Sequence, residues 1–333
     1  MDLGLGFNIP ILDDFEPKGP RRKKGKQGGS KPTGPRKAVE PTGDIKLRLS
    51  TANEAFMEED YEKAIKIISE IIRINAETYE AWMMLSSAWQ ELGDVKKAIK
   101  AQLGGIQLRP KHPEGWLAVA RRFEEDGDFR GADHCYRYAL RFVPGYPDAH
   151  LGKARINVIK RNFKGAISEF NKVLTHKPHD LEVIRGLTET YYFVKKYEEA
   201  KQLMKKTFLH YKEPDNYGDE MPDWNDLVSY ISYYEALGDY SGAINELNSQ
   251  ARWLLGRESQ DFFDGVPNDC EWDKDDQRRA EIPGFNRDEF ESSVYGEGLP
   301  MNLRVQLGIC RYKIGHREEA LVSLSNLKMR FLD

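Results

Sequence analysis

Cysteine is scarce: the chain has three in 333 residues, at Cys135, Cys270 and Cys310. Such wide spacing suggests neither a disulfide framework nor a zinc site, and fits a reducing compartment. No uninterrupted apolar run approaches the roughly 18 residues of a membrane-spanning helix, so no membrane partner is expected. The opening MDLGLGFNIPILDDFE has neither the basic start nor the small-residue cleavage site of a secretory leader, and none is expected there. Catalytic signatures are missing as well. There is no serine nucleophile elbow and no HExxH. GPRRKKGKQ falls short of a phosphate loop: five residues rather than four separate Gly19 from Gly25, and no Ser or Thr follows Lys26. His134 and Cys135 are adjacent, and neighbours on a helix point in different directions. The chain is therefore expected to be no enzyme and to need no cofactor or metal.

What is present is a core-sized apolar fraction in a strongly polar chain: 40% hydrophobic, 31% charged, with a mean hydropathy of −0.67. The net charge of −4 hides a segregation. Residues 18–37 hold nine Lys or Arg and no acid, while residues 257–299 hold thirteen acids against five bases. Residues 1–43 read as a disordered tail, because the basic stretch is rich in Gly and Pro and cannot bury enough surface to offset ordering entropy. Within it Arg21, Arg22, Lys23, Lys24 and Lys26 are candidate contacts to nucleic acid, weak and without sequence readout, or a nuclear-import signal. Phe7, Ile9, Ile11, Leu12 and Phe15, set among Asp13, Asp14 and Glu16, have the composition of a short motif that folds on a partner.

The strongest signal is periodic. Ala64, Ala98, Ala132, Ala166 and Ala200 are evenly stepped, 34 residues apart. Each follows an aromatic or valine three positions earlier: Tyr61, Val95, Phe129, Phe163 and Tyr197. Trp82, Trp116 and His150 keep the same step, and Pro110, Pro144 and Pro178 close successive units. This spacing resembles the tetratricopeptide repeat (TPR), two antiparallel helices with small residues where they touch. A bulky side chain in the alanine column would force the helices apart, and proline cannot continue the second helix. The fold class expected is all-α: a right-handed TPR superhelix, or α-solenoid. Repeats are assigned at about 45–78, 79–112, 113–146, 147–180, 181–214 and 224–256, so that 44–256 holds six. Residues 257–299 form an acidic insertion, either a disordered loop or an excursion packed on the array. A seventh repeat follows in 300–333. Its end, SNLKMRFLD, keeps Leu327, Met329, Phe331 and Leu332 where a terminal repeat needs a polar face, so continuation in a longer chain is expected.

In such arrays the first helix of each unit lines a groove. One column there holds Met83, Leu117, Leu151 and Arg185; the next holds Arg121 and Arg155; Tyr192 lies a turn further on in repeat five. The strip suits an extended or helical segment carrying acidic and apolar residues. Chaperone-binding TPR domains clamp a C-terminal carboxylate with five Lys, Asn and Arg residues; of the corresponding columns only Asn53 matches, which argues against that role.

Two stretches are more particular: CEWDKDDQRRAEIPGF at 270–285 and LPMNLRVQLGICRYKIGHREEAL at 299–321. With the acidic and then basic tail they resemble the TPR subunit of transcription factor IIIC, the RNA polymerase III factor. That resemblance implies a nuclear, non-enzymatic scaffold. It implies partners among the other factor IIIC subunits and in transcription factor IIIB, through the TFIIB-related factor and B-double-prime. The competing expectation is a TPR adaptor of another nuclear complex, with a tail that binds nucleic acid non-specifically.

Overall fold

The computed structural model describes residues 41–216, 220–273, 276–289 and 299–325. Among these the protein is all-α, with fourteen helices and no strand. A first compact unit, ending at Lys160, contains α1 (Gly43–Met57), α2 (Tyr61–Ile74), α3 (Tyr79–Glu91), α4 (Val95–Leu108), α5 (Pro113–Glu125), α6 (Phe129–Phe142) and α7 (Pro147–Ile159). A second, from Arg161, contains α8 (Phe163–Leu174), α9 (Leu181–Phe193), α10 (Tyr197–Lys212), α11 (Trp224–Leu237), α12 (Tyr240–Leu254), α13 (Met301–Lys313) and α14 (Arg317–Ser325). None of the described helices is long and apolar enough to cross a membrane.

The helices form where they do because the same chemistry recurs at each step. Ala64, Ala98, Ala132, Ala166, Ala200 and Ala243 are wholly buried, and Ala320 nearly so. Just before five of the second helices stands a capping residue. The side chains of Asp60, Asp94, Asp128, Asn162 and Asp239 accept from the backbone N–H three residues on, at 3.0–3.3 Å. Such a cap satisfies one of the amides that a helix start leaves without a partner. The residue before the cap turns the chain through the left-handed region. It is Gly93, Gly127, Gly238 and Gly315 in four repeats, but Glu59, Arg161 and Lys195 hold φ of 61°, 57° and 60° at the same step. Consecutive repeats are tied by a second column. Trp82 Nε1 donates to the Ala76 carbonyl at 2.8 Å and Trp116 Nε1 to the Pro110 carbonyl at 3.0 Å. His150 Nε2 pairs with the Pro144 carbonyl at 2.8 Å, which places its proton on that nitrogen.

Packing within each unit follows the same rule of large against small. In the first, Ile65, Ile68, Ile71 and Ile72 of α2 pack with Ala52, Ala55 and Ala81. A second cluster joins Ile99, Trp116, Phe123, Tyr136 and Ile156. The Tyr136 ring lies where a side chain on Gly152 would stand: a Cβ there would be 2.1 Å from Tyr136 Cζ. In the second unit Phe170 covers Gly186 in the same way, at 2.7 Å, and the core continues through Phe208, Leu227, Tyr230, Leu247, Leu303 and Leu307.

Between α12 and α13 the described acidic residues form four single 3-10 turns, Asp261–Phe263, Cys270–Trp272, Arg279–Glu281 and Arg287–Glu289. They are tied to the flanking helices. Trp272 Nε1 donates to Asn248 of α12 at 2.9 Å, and Arg252 of α12 reaches the Gln260 carbonyl and Asp264. Arg311 of α13 makes a bidentate pair with buried Asp269 at 2.9 and 2.5 Å. Arg278 bridges Asp273 and Glu319 of α14.

Candidate partner-binding surface

Met83 on α3, Leu117 on α5 and Leu151 on α7 occupy equivalent places in the first unit, because each stands at the same step of its first helix. Their depths differ. Met83 and Leu151 are half-buried, whereas Leu117 is 5% exposed and packs in the core with Ile99 and Trp116. Leu117 thus forms the floor of the strip, and offers a partner little surface. Arg121, one turn after Leu117 on α5, is exposed. Arg155, one turn after Leu151 on α7, is 43% exposed and sits 3.6 Å from Glu124 of α5.

Sequence reasoning passed over the carboxylates of this face. Glu80, Glu114 and Asp148 each stand three residues before an apolar member of the strip, a spacing that puts them on the same helix face. Glu80 lies 3.3 Å from Arg109 and Glu114 3.4 Å from His112. Glu124 was also missed. The signal was its place one turn after Arg121 and within reach of the next first helix.

Arg185 and Tyr192 lie on α9, in the second unit. Arg185 pairs bidentately with Asp226 of α11, at 2.8 and 2.7 Å. Hydrogen bonding to Asp226 raises its pKa well above the ordinary guanidinium value, so it is committed as a tie between α9 and α11. Asp226 is also the third residue of α11, where it closes a capping box with Asp223. Tyr192 is 43% exposed, its ring 5.2 Å from Tyr197 and 6.1 Å from Tyr233. Beside it Phe193, 53% exposed, stacks on Phe163 at 5.6 Å. Large aromatics left open on a first helix are the kind of residue that carries interface energy.

Other chemistry is sparse among the described residues. No group of three or more His, Cys, Asp or Glu could hold a metal ion there. Burial raises all three thiols, Cys270 to about 11 and Cys310 to about 12, so none is held as a nucleophilic thiolate. His179 stacks on His210 with ring centres 3.4 Å apart. Arg21, Arg22, Lys23, Lys24 and Lys26 lie outside the described residues.

The model of the tetratricopeptide repeat family matches residues 49–113 and 117–180. Those residues carry tetratricopeptide repeats. Among curated relatives, this TPR chain is similar to the transcription factor tau subunit sfc4 of Schizosaccharomyces pombe. The two are 28% identical over 303 residues, 86% of this chain and 29% of that protein. It is also similar to the transcription factor tau 131 kDa subunit of Saccharomyces cerevisiae, 32% identical over 101 residues, 30% of this chain and 10% of that protein. The resemblance to the TPR subunit of transcription factor IIIC is borne out by these two relatives. The chain spans less than a third of the length of either. Among solved structures, the TPR protein from Parabacteroides merdae gives a TM-score of 0.42 at 13% identity, covering 86% of this chain and 93% of that one. The MamA protein gives 0.43 at 14% identity, covering 54% of this chain and 98% of its own.

Proposed function

We propose that this protein is a nuclear, non-enzymatic TPR scaffold of transcription factor IIIC that joins promoter-bound factor to transcription factor IIIB. The observation that carries the reading is the 28% identity to the tau subunit sfc4 across 86% of the chain, repeats and insertion together. Its partners on this reading are the other factor IIIC subunits and, in factor IIIB, the TFIIB-related factor and B-double-prime. Support comes from the open residues of the first helices. Met83 and Leu151 offer apolar surface, Arg121 and Arg155 offer charge, and Tyr192 offers an aromatic anchor. An acidic and apolar segment fits the four residues of the first unit.

The test is a pull-down of the TFIIB-related factor by the purified chain. Arg121→Glu combined with Arg155→Glu is expected to weaken retention, because reversed charge repels an acidic segment. Unaltered retention removes these arginines from the site. A second reading, non-specific nucleic-acid binding in another nuclear complex, is favoured by the nine Lys or Arg of residues 18–37. Deleting residues 1–40 and titrating DNA at two salt concentrations decides it: the reading requires an affinity that falls with the deletion and with salt.

A further inference from the structure

Arg122 follows Arg121 on α5, is half-buried, and is held by neutral groups. Its Nη1 donates to Gln102 Oε1 of α4 at 2.7 Å and to Ser86 Oγ of α3 at 3.2 Å. Ser86 is itself fixed: it is buried, and its hydroxyl donates to the Ala98 carbonyl at 2.8 Å, which leaves its oxygen to accept. Two acceptors on one nitrogen set the plane of the guanidinium. Among the described residues no carboxylate pairs with it, and the edge that carries Nε and Nη2 meets no acceptor. Burial lowers its pKa, and Glu125, three residues on, only partly opposes that.

Elsewhere that same edge is what this protein uses to grip an acid. Arg185 sets Nε and Nη2 on Asp226 at 2.8 and 2.7 Å, Arg278 on Asp273 at 2.6 and 2.7 Å, and Arg311 on Asp269 at 2.9 and 2.5 Å. Two parallel N–H groups match the two oxygens of a carboxylate. Hydrogen bonding to the aspartate raises the pKa of Arg185 and of Arg278, whereas that of Arg122 is lowered. A cation drawn partly out of water without a counter-charge weakens a fold, so its presence in a fixed orientation calls for a use outside the fold.

We propose that Arg122 is the receptor for one carboxylate of the docking partner, an Asp or Glu side chain taken by its Nε and Nη2 edge. The inference deepens the reading given under Proposed function and rests on it. Ser86, which anchors the guanidinium, stands one turn after Met83 on α3, and Arg121 directly precedes Arg122, so the receptor adjoins the residues assigned to that segment. The edge selects an acid over an amide, because Asn and Gln offer one oxygen and turn N–H groups toward the cation. It also favours a lone acid over a phosphate backbone. Glu124, Glu125 and Asp126 follow Arg122 along the chain and oppose a run of anions.

The experiment measures affinity of the full 333-residue chain for the TFIIB-related factor, in the unaltered protein, Arg122→Met and Arg122→Lys. Each is also tested against factor variants in which one acid at a time becomes its amide. Arg122→Met is expected to weaken binding about tenfold, the worth of a charge-assisted pair. Arg122→Lys is expected to lose nearly as much, because an ammonium keeps the charge without the fork. One factor variant is expected to bind the unaltered chain equally weakly, and to lose nothing further against Arg122→Met. A structural role for Arg122 predicts the same loss against every factor variant, with a lower urea midpoint, and that result overturns the inference. Should Arg122→Met unfold, Arg122→Lys carries the same comparison. Factor binding unchanged in both variants overturns the inference and leaves the scaffold reading standing. The same holds if the variants lose only retention of duplex DNA, which gives the fork to phosphate. No binding by the unaltered chain overturns both.

Discussion

Glu271 gives the fold a pH dependence that can be worked from its surroundings. It stands in the 3-10 turn Cys270–Trp272, 4% exposed, with Arg252 Nε 3.6 Å from its Oε2. Arg257 also favours its charge, while Asp269 and Asp264 oppose it. Burial outweighs the two guanidiniums and pushes the carboxyl from 4.5 up to about 7. A carboxyl with a raised folded pKa takes up a proton on folding. Its contribution to stability is therefore full below the unfolded value and is lost as pH rises through the folded one. At 1.36 kcal/mol per unit the whole effect is about 3 kcal/mol, most of which falls between pH 5 and 8. Glu271→Gln keeps the size of the side chain and removes the titration. Urea unfolding should be followed by tryptophan fluorescence, since Trp253 and Trp272 lie in the same core. Between pH 5 and 8 the unaltered protein is expected to lose about 2–3 kcal/mol relative to the variant. A flat difference would refute the assignment of the titration to Glu271.

Two further changes test the repeat geometry. Arg161→Gly places glycine where the chain holds φ of 57°. Relief of the left-handed strain, about 1–2 kcal/mol, exceeds the added chain entropy, so a gain of about 0.5–1 kcal/mol in urea unfolding is expected, and a loss would refute the strain. Gly152→Ala puts a methyl 2.1 Å from Tyr136 Cζ and is expected to cost about 1–3 kcal/mol despite the better helix propensity of alanine. Trimming the ring, Tyr136→Leu, should recover part of that loss in the double variant.

Much of the fold was legible because it repeats. An alanine at each step needs no partner to be identified; the spacing states which faces touch, and burial of all seven follows. The depth of Leu117 was not legible. It stands in register with Met83 and Leu151, and only the packing of Ile99 and Trp116 around it decides that it lies below the surface. Pairings across long sequence separations were hidden too. Nothing local marks Arg185 as the partner of Asp226, or Arg311 as the partner of Asp269, and the ordinary expectation for arginine is a solvated face. Glu59, Arg161 and Lys195 break the turn chemistry that glycine supplies in the other repeats, so the turn there is set by the helices on either side.

The acidic insertion shows why charge counted along a sequence differs from charge offered to solvent. Three of its described arginines are drawn inward. Arg279 has no exposed surface, Arg257 is buried over the Trp272 ring, and Arg278 is chelated by Asp273. Each needs a counter-charge, because an unpaired buried charge costs several kcal/mol. Asp264, Asp269, Asp273 and Asp276 are committed to arginines for that purpose. Glu258 is taken by Lys212 at 3.5 Å. The acidity of this stretch is therefore partly spent inside the second unit, holding α12 to α13 and α14 across the inserted residues. A repeat needs only its neighbours to be stable, so residues inserted between two repeats are tolerated when they restore the contacts they separate. Removing the insertion would then leave Arg252 and Arg311 without their carboxylates. The helices flanking it, rather than any exposed acidic surface, would register the loss first.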